Sequence, residues 1–321
     1  MANIWAELKA KKQPFLVLAP MEDVTDTVFR QIVGRCGAPD LYFTEFTSAE
    51  GLLSKGSNEV GLRLRYTEIE KPLIAQIWGT TPEAYFKSAK MIVGMGFDGI
   101  DLNFGCPVEK IIKQGACSAL IKNPSLAGEI IKATKEGAGE LPVSVKTRIG
   151  FNEIATEEWC GFLLEQGVAA LTVHGRLAKE LSKFPANWDE VAKVVTLRDK
   201  IAPETVLLGN GDILSYPQAI SYAQTYGVDG IMIGRGIFQN PWIFNPGVDE
   251  SQKTPRDRLN LLSEHLNLFN EVWGDEKDFN IMKKFVKMYV KGFDGAAELR
   301  DEMMKCKTVE ELSTVAKGAE I

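Results

Sequence analysis

The sequence predicts an α/β protein, a (β/α)8 barrel of the TIM type followed by a small bundle of helices. Three observations carry this expectation. Short β-branched runs alternate with longer helical patterns through the first two-thirds of the chain, the signature of βα units. There are eight such runs, and eight fit a closed barrel better than an open sheet. After Pro246 the strand-like runs cease and helical patterns follow one another without interruption.

The strands are expected at residues 15–19, 41–44, 73–78, 99–103, 143–148, 170–174, 206–210 and 230–234. Among the intervening helices, one is expected at 125–135, with Pro124 just before its start, and another at 156–166. The polar stretch 252–257, which contains Pro255, marks a junction. Beyond it, helical patterns at 258–273, 278–291, 296–304 and 309–317 form a bundle of about 70 residues. The expected division is a catalytic barrel over 1–248 and a helical domain over 249–321.

Composition bounds the rest. With 45% hydrophobic and 25% charged residues, the chain of 321 residues is globular rather than disordered. No stretch reaches 18 consecutive apolar residues, so no membrane span is expected. Residues 1–14 carry lysines but no following apolar core, and read as mature sequence rather than a signal peptide. The five cysteines are odd in number, widely spaced and without a CxxC pair, which suits a reduced, cytoplasmic protein. Only two histidines exist, His174 and His265, and neither lies near a cysteine pair, so no metal site is expected. A monomer is expected. The formal net charge of -6 argues against non-specific nucleic-acid binding, but leaves room for a local basic patch.

Where the strands end matters more than how many there are. Apolar runs finish at Ala19-Pro20-Met21, Gln76, Asn103, Lys146-Thr147-Arg148, His174-Gly175-Arg176, Gly209-Asn210-Gly211 and Gly234-Arg235-Gly236. Barrel enzymes build their sites at the C-terminal ends of the strands. The two glycine-rich turns after the seventh and eighth strands allow close backbone approach, Arg235 adds a fixed cationic fork, and 237–239 suits a short helix. Barrels often bind phosphate at this position. The first strand lacks a GxGxxG turn, so a mononucleotide cofactor lying across the barrel mouth fits better than a dinucleotide. Lys146 would lie beneath or beside its ring system and stabilise negative charge there.

Cys106 stands between Gly105 and Pro107 in the loop after the fourth strand, which holds its side chain at the mouth. A cysteine so placed can act as a nucleophile or as a proton donor. The first role wants an adjacent base, and His174 is two strands away; the second needs none. Cys117, in a small-residue stretch, reads as a buried small hydrophobe, as do Cys36 and Cys160 in their helical patterns. His174 ends a barrel strand and reads as a ligand contact, whereas His265 reads as surface or domain packing.

Taken together, LAPMEDVTDTVFR at 18–30, DLNFGCPVEKIIKQGACSALIKNP at 101–124 and PVSVKTRIG at 142–150 resemble the tRNA-dihydrouridine synthases. So do LTVHGR at 171–176, GNGDI at 209–213, DGIMIGRGIFQNPWIF at 229–244 and the later KKFVKMYVKGFDGAAELR at 283–300. The resemblance covers nearly the whole chain. It implies an FMN-bound barrel, reduction of FMN by NADPH, hydride transfer to C6 of a uracil ring in tRNA, and protonation of C5 by a loop cysteine. Matched position by position, Cys106 is the acid. Pro20, Met21, Gln76, Asn103, Lys146 and His174 match flavin contacts, and Asn210, Gly211, Gly234 and Arg235 match the phosphate turns. Arg148 and Arg176 match contacts to RNA or to the cofactor edge. The stretch 177–185 departs from the family pattern, and Cys117 replaces a residue that is usually glycine or alanine.

An acidic chain that handles RNA needs a local exception. Residues 281–307 carry a net charge of +3, and Lys283, Lys287 and Lys291 recur every four residues, so one helix face is expected to present them to phosphates. Two other classes stay open at this level: a flavin barrel acting on a free pyrimidine such as dihydroorotate, and an RNA-binding barrel without catalysis. The sequence does not choose NADPH over NADH, because no nucleotide-binding signature for the reductant is visible.

Overall fold

The computed structural model describes residues 3–319. They fall into two compact units: one runs from the N-terminal stretch through Asp26 and includes Pro39–Ile213 and Pro217–Gly234; the other comprises Thr27–Ala38, Leu214–Tyr216 and the chain from Arg235 onward.

The first unit is a nearly closed barrel of parallel strands. In chain order the strands are β1 (Phe15–Leu18), β2 (Tyr42–Phe43), β3 (Thr47–Ser48), β4 (Leu73–Trp78), β5 (Gly99–Phe104), β6 (Val143–Gly150), β7 (Ala170–Leu177), β8 (Val206–Asn210) and β9 (Gly230–Ile233). They pair in the order β1-β9-β8-β7-β6-β5-β4-β2, with β3 on β4. A bridge between Val17 and Leu41 joins β1 to the residue before β2 and brings the two ends together. Helices Pro82–Gly94, Pro124–Ala138, Trp188–Ile201 and Tyr216–Tyr226 connect successive strands. The strands are buried on both faces, which is why they read as nearly continuous apolar runs.

Each of three strand starts is pinned by the same device. Backbone N–H groups of Leu16, Leu73 and Leu207 donate to the carboxylates of Asp40, Asp98 and Asp229 at 2.9, 2.8 and 2.7 Å. Inside the barrel, Phe15, Val17, Phe43, Ile74, Ala170, Val206, Leu208 and Met232 form one cluster. A cluster drawing on strands all round the sheet can only lie within it. Trp5 and Leu8, from helix Ile4–Ala10, join this cluster and fill it at the N-terminal ends of the strands.

Three local features differ from the expectation. The second strand is interrupted, giving nine strands, because the Thr44 hydroxyl intervenes in the ladder: it accepts from the Gln76 N–H at 3.1 Å and donates to the Glu45 carbonyl at 2.8 Å. The strands expected to stop at Arg148 and His174 continue to Gly150 and Leu177, across an irregularity between Arg148 and Gly150. The helix at 156–166 opens with a π turn, Thr156–Cys160, before its α-helical part, Gly161–Glu165.

The second unit is helical. Helix Pro255–Trp273 starts with a capping box between Thr254 and Asp257 and is the longest element, followed by Ala296–Lys305 and Val309–Gly318. Phe29 of helix Thr27–Cys36 stacks on Phe285 with ring centroids 5.0 Å apart, and His265 meets Phe285 edge-on at 4.8 Å. His265 is buried and shares a 2.9 Å hydrogen bond with the Tyr289 hydroxyl, so it belongs to the packing of this unit. Among the described residues no helix is long and apolar enough to cross a membrane.

The lysine segment does not form the expected single face. Phe279–Phe285 is a 3-10 helix, Val286–Tyr289 a single α-helical turn, and Lys291 lies beyond both. At 3.0 residues per turn, a four-residue spacing no longer aligns side chains. Lys287 is exposed, Lys283 lies over the Phe279 ring at 5.7 Å, and the Lys291 ammonium donates to the Gln239 carbonyl at 2.5 Å.

Candidate active site at the barrel mouth

Alternation along the strands brings the sequence-predicted residues to the interior face. Gln76 lies in register with Asp101, and Asp101 with Ser144. One pleat further along, Asn103 aligns with Lys146; a pleat beyond that, Arg148 aligns with His174 and His174 with Asn210. Side chains two residues apart on a strand share a face, so these tiers climb one wall toward the C-terminal ends.

The lowest tier holds a group the sequence reading missed. Asp101 is fully buried, accepting from Gln76 Nε2 and from Ser144 Oγ, each at 2.6 Å. Burial raises its carboxyl to about 6, against the opposing hydrogen bonds from Ser144 and Gln76 and the charge of Lys146. The available signal was an acidic residue inside an apolar strand, two positions before Asn103. Above it, Asn103 Nδ2 donates to Gln76 Oε1 at 3.0 Å, and Asn103 Oδ1 accepts from the Gly105 and Cys106 amides at 3.1 and 2.9 Å. The loop cysteine is therefore tied to the wall through its own backbone.

Lys146 donates to Asn210 Oδ1 at 3.1 Å, and Asn210 Nδ2 donates to the Met232 carbonyl at 2.8 Å. Burial, and then the neighbouring Arg148 charge, lower the ammonium from 10.5 to about 8, so it is charged at neutral pH. Gly209 and Gly211 serve different ends. A Cβ at Gly209 would lie 2.3 Å from the Trp188 ring, whereas Gly211 has φ +135 and a Cβ there would lie 2.5 Å from Ala186. The Gly211 carbonyl also accepts from Trp188 Nε1 at 3.1 Å. Near β1, Met21 closes a turn on Thr25 through a 2.9 Å hydrogen bond, Pro20 is buried, and the space beside Gly234 is bounded by Ala19 and the Met21 sulfur. Arg235, assigned to the second compact unit, is exposed and precedes the four-residue helix Gly236–Gln239.

His174 sits 3.0 Å from an Arg176 Nη1 through its Nε2. A guanidinium only donates, so Nε2 accepts and the neutral ring carries its proton on Nδ1. Both arginines of this wall are buried and bonded to protein. Arg148 reaches the carbonyls of Gly105, Leu177 and Leu181 at 2.8, 3.0 and 2.9 Å. Arg176 donates to the Phe184 carbonyl at 2.5 Å and pairs with Asp212. They anchor the loop that follows β7, a role the sequence did not suggest.

The family described as dihydrouridine synthase matches residues 17–320. The chain belongs to the dihydrouridine synthase family. Curated relatives include a probable tRNA-dihydrouridine synthase of Staphylococcus aureus (strain COL), 46% identical over 312 residues, covering 96% of this chain and 93% of the relative. Probable tRNA-dihydrouridine synthase 2 of Bacillus subtilis (strain 168) is 44% identical over 313 residues, covering 97% and 94%. Among solved structures, morphinone reductase resembles it with a TM-score of 0.52 and 12% identity over 73% of this chain and 86% of that one, a likeness of fold.

Within this family's barrel, Cys117 proves more than a small hydrophobe. It is buried at φ +52, packs with Phe46, Ile111 and Ala116 against Cys106, and the Ser118 amide donates to the Cys106 carbonyl at 3.3 Å. A hydrogen bond from the Cys117 thiol lowers Cys106 from 9.0 to about 7; burial opposes this, and the Val108 amide and Arg148 assist. The Cys117 thiol itself is pushed well above its ordinary value, chiefly by burial. Cys117→Ala is therefore expected to move Cys106 back up toward 9.0. The pH dependence of Cys106 alkylation by iodoacetamide measures this. An unchanged midpoint would show that the two thiols do not communicate.

Proposed function

We propose that this chain reduces a uridine in tRNA to 5,6-dihydrouridine, using FMN re-reduced by NADPH, with Cys106 as the acid. Membership of the family supplies the reaction. The observation that supports this form of it is the shared wall: a charged Lys146 on Asn210 beside an Asn103 that grips the Cys106 amide. Among the described residues Lys146 has no ion-pair partner, which suits a ring whose electron density rises on reduction.

These residues fit a flavin mononucleotide. Lys146, Gln76, Asn103 and His174, with Pro20 and Met21, would hold its ring; Asn210, Gly211 and Gly234, followed in the chain by Arg235, would hold its phosphate. When bound, FMN supplies hydride transfer to C6 of the uracil. Lys146, charged below about 8, steadies negative charge at the ring edge. As the uracil C6 gains hydride, negative charge builds toward C5 and the C4 carbonyl. The Cys106 thiol donates its proton to C5, and its pKa of about 7 makes it a competent donor near neutrality. Arg148 and Arg176 hold the loops beside the site through backbone carbonyls, which keeps the wall rigid.

For the RNA, we propose Lys283, Lys287 and Lys291 as phosphate contacts, acting individually and with exposed Lys287 foremost. A tRNA substrate suits an enzyme of the cytoplasm, and five free cysteines suit a reducing compartment.

The purified protein is expected to be yellow and to release FMN on heating, one per chain. Transfer RNA from a strain lacking the gene should miss dihydrouridine at defined positions and regain it on complementation. Release of FAD, or of nothing, would overturn the cofactor assignment. Turnover of free uracil or dihydroorotate with unchanged tRNA would overturn the substrate.

A further inference from the structure

Of the five cysteines, four are buried and Cys106 alone is partly open. Burial pushes Cys36 and Cys160 up to about 12 and raises Cys117 and Cys306 as well. A reaction that needs a thiolate therefore finds one candidate, Cys106, which stands at about 7.

Behind that thiol lies a second one. Cys106 packs against the buried cluster of Phe46, Ile111, Ala116 and Cys117, and the Cys117 thiol hydrogen-bonds to its sulfur. The main chains are joined too, by the Ser118 amide on the Cys106 carbonyl at 3.3 Å. A disulfide requires neighbouring main chains, with Cα atoms about 4.4–6.8 Å apart. A main-chain hydrogen bond one residue beyond Cys117 supplies that neighbourhood, and the thiol–thiol contact turns the two sulfurs toward each other.

Cys117 holds this place under strain. Its φ of +52 lies in the left-handed region, which disfavours any residue with a Cβ, whereas Gly115, two residues earlier, reaches φ +82 freely. A strained backbone that presses a second thiol against the mouth thiol asks what the pair can do.

The geometry points to a reversible dithiol–disulfide pair, in which a hydroperoxide oxidises Cys106 and Cys117 resolves it. The Cys106 thiolate attacks the peroxide: an S–O bond forms, the O–O bond breaks, and the departing oxygen takes a proton from water. Cys106 is then a sulfenic acid, its two electrons having reduced the peroxide to an alcohol or to water. The Cys117 sulfur attacks next: an S–S bond forms, the S–O bond breaks, and hydroxide leaves with the Cys117 proton as water. A dithiol returns the two electrons and restores both thiols. Burial suits Cys117 to this role, since the only group it must reach is the one already beside it.

Closure has two consequences. The sulfur is spared the irreversible sulfinic acid. It also has no proton to give, so dihydrouridine formation stops until the pair is reduced. This second consequence rests on the proposed function, in which Cys106 is the acid; the sulfur chemistry does not.

The test uses the full chain, reduced, freed of dithiothreitol, treated with hydrogen peroxide and quenched with N-ethylmaleimide. Under denaturing conditions two of its five thiols should be lost, the mass should fall by two hydrogens, and a digest should contain Cys106 joined to Cys117. Modification of tRNA should fall in step with thiol loss, and dithiothreitol should restore both. In Cys117→Ala the same dose should leave a sulfenic Cys106 that dimedone labels, and further peroxide should carry it to a sulfinic acid that dithiothreitol does not repair. If the alanine variant folds poorly, Cys117→Gly suits the left-handed backbone and takes its place. Sulfinic acid at Cys106 of the wild type with Cys117 still free would overturn the pair. So would equally reversible oxidation in the Cys117 variants. Closure with undiminished tRNA modification would instead count against Cys106 as the acid, so the two readings fail separately.

Discussion

Replacing Cys106 with alanine is expected to slow dihydrouridine formation by roughly two to four orders of magnitude, the usual contribution of a positioned acid. FMN binding and flavin reduction by NADPH should remain near normal, because the thiol stabilises neither. The separation of effects follows from how the residue is held. Its backbone amide is gripped by Asn103 at 2.9 Å, so the loop keeps its path when the side chain is cut back. Only the proton is lost. Reoxidation of pre-reduced flavin by tRNA, followed by stopped-flow absorbance, isolates the step. With a thiol pKa of about 7, the protonated fraction falls as pH rises through that value, so the wild-type rate should decline on the alkaline side. In Cys117→Ala this decline should move to higher pH. Near-normal reoxidation and product yield in the Cys106 variant would remove it as the acid.

The second large effect is expected at Lys146. Lys146→Met keeps the length and apolar stem but removes the ammonium. It should slow flavin reduction by about 10² and weaken FMN retention, comparable to deleting one fixed donor that stabilises developing charge. The sign with pH is set by the depressed pKa. The ammonium is present below about 8 and is lost as pH rises through that value, so the wild-type reduction rate should fall above it. The variant has no such group, and its profile should be flat there. Anaerobic mixing with NADPH, monitored at the flavin absorbance, measures both quantities. A variant that keeps its flavin and its reduction rate would exclude electrostatic support from Lys146.

The barrel was legible because its cues are local and repeated. β-branched runs ended in polar residues, and barrel sites form at strand ends, so Gln76, Asn103, Lys146, His174 and Asn210 could be named from position alone. Asp101 was not, because its role depends on register with Gln76 and Ser144, strands far apart in sequence. Arg148 and Arg176 were matched to RNA or cofactor-edge contacts through the family resemblance alone; that their guanidinium groups also hold main-chain carbonyls follows from the course of the loop after β7, which no local pattern reveals. The lysine segment misled for another reason. A four-residue spacing signals a shared face only if the helix is α, and nothing local reveals the tighter 3-10 winding of Phe279–Phe285. Cys117 looked inert because a small buried residue carries no sign of its neighbour.

The loop after β7 has its own evolutionary meaning. Its anchors reach the carbonyl oxygens of Leu177, Leu181 and Phe184 rather than their side chains. Every amino acid brings the same carbonyl, so these guanidinium clamps impose a path without imposing a sequence. The exposed side chains of Leu181 and Phe184 are thus free to be exchanged while the main chain stays in place. Position 181 is the one point of resistance, since its φ of +55 favours glycine or asparagine over most replacements. Such an arrangement lets related barrels diversify what they display beside the mouth without refolding the wall beneath it.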